Sequence, residues 1–169
     1  MRARYYVRAA VNLANGSTLA GLGVALAGRS RLSRAPDGML TGTGYRLPVP
    51  PTPAFTLGNV ILTRRTLLPA NSALFRHEAR HATQYAWCGG ILMLPMYFTA
   101  AGASWVLCGD FAAWNVFERK AGLADGGYPA WPPRPVFTRL PGRRAAAPSR
   151  RGRRQTGRRL PGKAAQQPS

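Results

Sequence analysis

Both histidines of this 169-residue chain, His77 and His81, fall within ten residues, Arg76–Tyr85 (Arg-His-Glu-Ala-Arg-His-Ala-Thr-Gln-Tyr). One of its two glutamates, Glu78, lies between them, and the other, Glu118, sits in Phe117-Glu118-Arg119-Lys120-Ala121. A chain with five acidic groups and two imidazoles has few ways to build a polar site. Any fold that uses these four side chains together must return residue 118 to the face carrying residues 77–81. That requirement constrains the architecture more than composition does.

Histidines at i and i+4 project from the same side of a helix. Two imidazoles so placed can share one tetrahedral zinc at about 2.0–2.1 Å each. A glutamate directly after the first histidine can take a proton from water there as general base, which assigns that role to Glu78. Gln84, three residues past His81, lies on the same face and can support a ligand through a hydrogen bond. A catalytic zinc needs a third protein ligand and an open position. Glu118, Asp110, Asp125, Asp37, Cys88 and Cys108 are all available, and Glu118, on a helix of its own, suits best.

The surrounding sequence reads as α+β. A mature N-terminal helix is expected over about 7–27. The competing reading is a signal peptide with Ala25-x-Ala27 at its cleavage site, but Asn12, Asn15, Gly16, Ser17 and Thr18 interrupt its apolar region. Arg29–Asp37 reads as a basic connector. Gly38–Leu47 and Phe55–Arg64 read as two strands of a small antiparallel sheet, with Gly58-Asn59 as a bulge and Pro48–Pro53 as a stiff turn between them. Asn71 and Ser72 offer N-caps to a helix running to Tyr85 or Cys88, which Gly89-Gly90 breaks. A second helix follows over Ile91–Cys108, with Pro95 tolerated in its first turn. Asp110 is expected to cap a third helix over about 111–121.

Helix rise makes the meeting of the two motifs testable. From the histidine pair to Gly89 is ~14 Å, the return along 91–107 is ~24 Å, and Glu118 lies ~12 Å up the next ascent. A three-helix zigzag therefore levels Glu118 with the histidines to within a turn. A rival reading exists, because Ala82–Gly109 contains no charged residue and is long enough to span a bilayer, with Trp87 and Trp105 near its ends. A single span would carry Glu118 to the far side and exclude the three-ligand site. The glycine breaks and the small residues Ala100–Ala103 favour packing over spanning.

Charge is uneven along the chain. Residues 1–133 hold 13 basic and 5 acidic groups, and residues 134–169 hold 11 basic and none acidic, which gives +8 and +11. The domain is therefore expected over 1–133, followed by a disordered Arg/Pro-rich tail over 134–169. The tail has no aromatic interleaving beyond Trp131 and Phe137, so nucleic acid, held through phosphate alone, is its least supported partner. An anionic membrane surface is another. Cys88 and Cys108 would stand about 30 Å apart on one straight helix, so no disulfide is expected.

His77-Glu78-x-x-His81 resembles the zincin metallopeptidases. The longer pattern His77-Glu78-x-x-His81-x-x-Gln84-Tyr85, then an apolar helix, then Asn115-x-Phe117-Glu118-x-x-Ala121, is similar to a group of small, uncharacterised bacterial metallopeptidase-like proteins. The resemblance covers about residues 39–128. It implies a helical zincin-like core, zinc as cofactor, His77, His81 and Glu118 as ligands, and Glu78 as base, with Gln84 and Asn115 supporting them. Two departures stand out. Val116 replaces the usual proline, and Gly122 occupies the position, four residues past the third ligand, where an aspartate often follows and bears on the orientation of the ligands. Tyr45, Tyr97 and Tyr128 are the tyrosines considered for stabilising an oxyanion.

The function expected is zinc-dependent hydrolysis of a peptide or protein, in the cytoplasm or at a membrane, with secretion as the alternative location. The rival class is a non-enzymatic, membrane-associated protein whose basic tail binds anionic lipid or nucleic acid.

Overall fold

The computed structural model describes residues 3–135. The tail expected over 134–169 lies, from residue 136 on, outside the described residues. Arg134 belongs to the domain, because its backbone amide donates to the Leu107 carbonyl at 2.8 Å.

The N-terminal segment is two helices, α1 (Ala3–Ala14) and α2 (Ser17–Ala27), bent by 74°, where one helix was expected. Gly16 takes φ 78°, a left-handed conformation that ends α1. Ser17 Oγ then donates to Asn15 Oδ1 at 2.7 Å and lies 3.2 Å from the Asn12 carbonyl. The polar residues that interrupt this apolar segment are thus structural. Asn12 is fully buried, and its Nδ2 donates to Asn59 Oδ1 at 2.9 Å and to the Ala82 carbonyl at 2.8 Å. A buried amide left unpaired costs about 1–3 kcal/mol, so these bonds fix where α1 sits.

The sheet is mixed and four-stranded, a correction to the two antiparallel strands expected. Its strands are β1 (Arg31–Arg34), β2 (Leu40–Thr43), β3 (Ala54–Leu57) and β4 (Val60–Thr63), in the order β1-β2-β4-β3. β1 arises inside the segment read as a connector and pairs antiparallel with β2, Arg31 opposite Thr43. β2 and β4 are parallel, Leu40 opposite Val60. Gly58-Asn59 is a hairpin turn between β3 and β4, with Leu57 opposite Val60, and not a bulge within one strand. Gly58 takes φ 58°, and a Cβ there would lie 2.4 Å from the backbone nitrogen of Thr18. Close approach of α2 thus demands glycine at the point where the strand divides.

All four residues of β4 are buried, because both faces of the sheet are covered. Ile61 packs in a cluster with Phe75, Ala82 and Met39, whereas Val60 and Leu62 pack with Ala25 and Tyr45 on the other side. Helix α3 (Ala73–Trp87) covers the first face, starting where Ser72 Oγ accepts from Phe75 N at 3.1 Å. After a turn at Gly89-Gly90, α4 (Met93–Cys108) runs to Gly109 at φ 83°.

The third helix is shorter than expected. α5 covers Val116–Ala121, and Asn115 caps it by accepting from Phe117 N at 3.0 Å. Asp110 does accept from the amides of Ala112 and Ala113 at 2.9 and 2.7 Å. Ser104 Oγ, however, donates to the Asp110 carbonyl and accepts from Trp114 N, holding the chain in a turn against α4. A last helical turn, α6, spans Leu123–Gly126.

Candidate metal centre

The buried face of α3 carries Phe75, His77, Glu78, His81, Ala82 and Tyr85. Two histidines and a glutamate thus occupy positions that helical periodicity assigns to the core. Burial of such groups is costly unless each is paired. The reversals at Gly89 and Gly109 bring α5 back to α3, and Glu118, 2% exposed, completes the group.

His77 Nε2 lies 3.1 Å from His81 Nε2 and 3.1 Å from Glu118 Oε2, and His81 Nε2 lies 3.6 Å from Glu118 Oε1. Among the described residues this is the group of histidine, cysteine and carboxylate ligands able to hold a metal ion. Of the other ligands considered, Asp125 pairs with Arg80 at 2.6 Å, and Asp110 serves the turn before α5. Asp37 joins neither, and Cys88 and Cys108 are free thiols.

The ring tautomers follow from the partners of the Nδ1 atoms. His77 Nδ1 lies 3.0 Å from the Gly122 carbonyl, which can only accept, so Nδ1 carries the proton. Gln84 Nε2 donates to the Phe117 carbonyl at 2.9 Å, which turns its Oε1 to His81 Nδ1 at 2.8 Å, and there too Nδ1 donates. Neutral rings so held present bare lone pairs at both Nε2 atoms. These lone pairs meet the Glu118 carboxylate, whose Oε2 is buried and makes no hydrogen bond. A cation satisfies this arrangement. Without one, an extra proton on an imidazole must do so.

The electrostatics of the ion-free pair agree. Burial alone would raise the Glu118 carboxyl, but the adjacent His77 and His81 imidazoles, which favour its ionised form once one of them takes up the extra proton, and the Tyr97 hydroxyl override it and hold the group below the usual carboxylate range. Burial alone would lower His77, but Glu118 overrides it and raises the imidazole. Glu78 is raised, chiefly by burial, and opposed by His81 and by Thr56. Thr56 Oγ1 donates to Glu78 Oε2 at 2.7 Å, so β3 positions that carboxylate.

The supporting residues divide. Gln84 contacts His81 directly, as the spacing predicts. Asn115 does not touch the triad; it is fully buried and acts through α5, capping the helix that carries Glu118. In the place of the missing aspartate, the backbone carbonyl of Gly122 orients His77. Of the three tyrosines, Tyr45 is on the opposite side of the sheet, donating to the Val49 carbonyl at 2.8 Å. The Tyr97 hydroxyl donates to Glu118 Oε1. Tyr128 stands with its ring centroid 5.8 Å from that of His77, and burial raises its hydroxyl. Nothing local in the sequence singles out Thr56 or the Gly122 carbonyl, since strand pairing and chain reversal place them.

A cavity of about 570 Å³ opens beside the triad. Glu78, His77, His81 and Glu118 line it together with threonine and tyrosine hydroxyls, among them Thr56 and Tyr128, and apolar side chains including Leu57, Met93, Leu94 and Phe98 form most of the rest. Comparison of the chain with protein-family models, curated proteins and solved structures returns no match.

Proposed function

We propose that this protein is a zinc-dependent, zincin-like hydrolase that cleaves peptide bonds, with His77, His81 and Glu118 as ligands and Glu78 as general base. The observation that carries the reading is the convergence of two bare imidazole nitrogens and an unsatisfied carboxylate oxygen on one point. Ligand atoms around a tetrahedral zinc with bonds of about 2.0–2.1 Å stand ~3.3 Å apart. The separations of His77 Nε2 from His81 Nε2 and from Glu118 Oε2, both 3.1 Å, come close to that value, and His81 Nε2 lies 3.6 Å from the other carboxylate oxygen, Oε1. Two nitrogens and one carboxylate oxygen also form a donor set that zinc accepts.

A zinc ion bound there supplies Lewis acidity, polarising a carbonyl and lowering the pKa of water. The chain supplies the rest. Glu78, raised by burial, is suited to take a proton from the attacking water and return it to the leaving amine as the C–N bond breaks. Thr56 holds the Glu78 carboxylate in place. Tyr128, whose raised pKa keeps its hydroxyl protonated, is the cavity tyrosine suited to donate to a developing oxyanion. β3 is an edge strand whose residues line the cavity, so an extended peptide can align by strand pairing.

Elemental analysis of the purified chain tests this reading. Wild type should carry about one zinc per chain, and His81→Ala and Glu118→Gln should lose it. Glu78→Gln should keep the zinc yet cleave an unstructured protein substrate about 10²–10⁴-fold more slowly. A zinc-free wild type, or undiminished zinc in His81→Ala, overturns the assignment.

A further inference from the structure

We propose that the outward face of α4 is a docking surface for an anionic lipid bilayer, on which the domain sits peripherally. Residues Gly90–Cys108 form a stretch of 19 residues with mean hydropathy 1.6. A helix this apolar is ordinarily buried, in a core or in lipid. Here only 17% of it is buried by the protein. It meets the domain along one narrow stripe, on which Met93, Ala101 and Ser104 are buried. Outside that stripe Leu92, Met96, Phe98, Trp105 and Val106 are each about half exposed or more. Trp87, 86% exposed, marks one end of this surface, and Trp105 marks the other.

The charges around the face select its occupant. At the Trp105 end of the face the Arg134 guanidinium lies 5.7 Å from the Trp105 ring centroid. Paired tryptophan and arginine at the edge of an apolar surface suit the headgroup layer, where one part meets acyl chains and the other phosphate. A second copy of this chain would bring the same cation to the same rim. Residues 1–133 carry +8 and the whole chain +19, so self-association opposes like charges, and an anionic surface compensates them.

The contact is peripheral because α4 is tied to the domain at its middle. Tyr97, midway along it, donates to Glu118, which in turn meets His77 and His81. The helix therefore lies along the bilayer surface, its exposed side in the acyl boundary, as interfacial helices do. Phe98 and Phe111 are both exposed and both line the cavity, so docking would turn the cavity mouth toward lipid. Binding to lipid does not depend on the hydrolase reading and is tested separately from it.

The test is flotation of the full chain with phosphatidylcholine vesicles, with and without phosphatidylglycerol. Wild type should float with the anionic vesicles and be released by alkaline carbonate. Met96→Glu combined with Val106→Glu changes two exposed positions outside the cavity, and circular dichroism checks that the fold survives. That variant should partition about tenfold more weakly or worse. The unsubstituted protein provides a second measurement, since lipids brominated in their acyl chains should quench its tryptophan emission. The proposal fails if the substituted chain floats as well as wild type, which would leave the arginine-rich tail as the anchor. It also fails if the tryptophans are not quenched or carbonate does not release the chain. It fails equally if wild type ignores vesicles and forms a dimer that the two glutamates dissociate.

Discussion

The side-chain amide of Gln84 is held at both ends. Its nitrogen donates to the Phe117 carbonyl at 2.9 Å, and its oxygen accepts from His81 Nδ1, 2.8 Å away. The second bond decides which nitrogen of His81 is free to bind an ion, and the first anchors α5 to α3 beside Glu118. One side chain thus orients His81 and positions the helix that carries Glu118.

Replacing Gln84 by alanine should therefore weaken metal binding about 10–100-fold with the three ligands intact. Competition with a chromophoric chelator measures the change. Affinity equal to wild type would show that the ring of His81 is held by packing alone.

Thr56→Val should shift the acid limb of any hydrolytic activity to higher pH. The Thr56 hydroxyl favours the ionised form of Glu78, opposing the effect of burial. Without it Glu78 keeps its proton to a higher pH, so the base becomes available later. Zinc content should not change, which separates this effect from loss of the site. The pH dependence of kcat/KM reads it out.

Removing the metal should leave a protein whose stability depends on pH through the His77–Glu118 pair. Glu118 is lowered on folding, so its contribution is present above the ordinary carboxylate pKa of about 4.3 and lost as pH falls through the folded value. His77 is raised, so its contribution is complete below about pH 6.5 and lost as pH rises through the folded value. Chelator-treated protein should be most stable between these limits, and Glu118→Gln should flatten the profile. Urea denaturation at a series of pH values tests both statements.

Gly58→Ala should cost about 2 kcal/mol or more, from a strained positive φ and a Cβ driven against the start of α2. Urea unfolding measures this directly. A loss below about 0.5 kcal/mol would mean that the turn and α2 move apart readily.

Local pattern alone was enough to read the α3 helix, its Ser72 cap, its end at Gly89-Gly90 and the facing of His77, His81 and Gln84. Each depends on neighbours within a turn or two, where spacing and capping chemistry act directly. Helix rise also anticipated the return of Glu118, but the last step is not the helical ascent expected, because the segment after Gly109 is a turn held by Ser104 and only Val116–Ala121 is helical. The sheet was legible only in part, since β2 falls within the strand expected over Gly38–Leu47 and β3 and β4 together occupy the one expected over Phe55–Arg64. β1 is exposed at all four residues, so it has no alternating pattern to announce it, and only pairing with β2 makes it a strand. The parallel match of β2 with β4 is a long-range choice that neither strand encodes by itself. Nor could the orienting carbonyl of Gly122 be read from side chains, because every residue has a carbonyl and only the folded chain aims one at His77. The sequence by itself determined which side chains could meet. Tertiary structure decided which atoms face each other, because hydrogen-bond partners distant in sequence set the tautomers and the lone pairs.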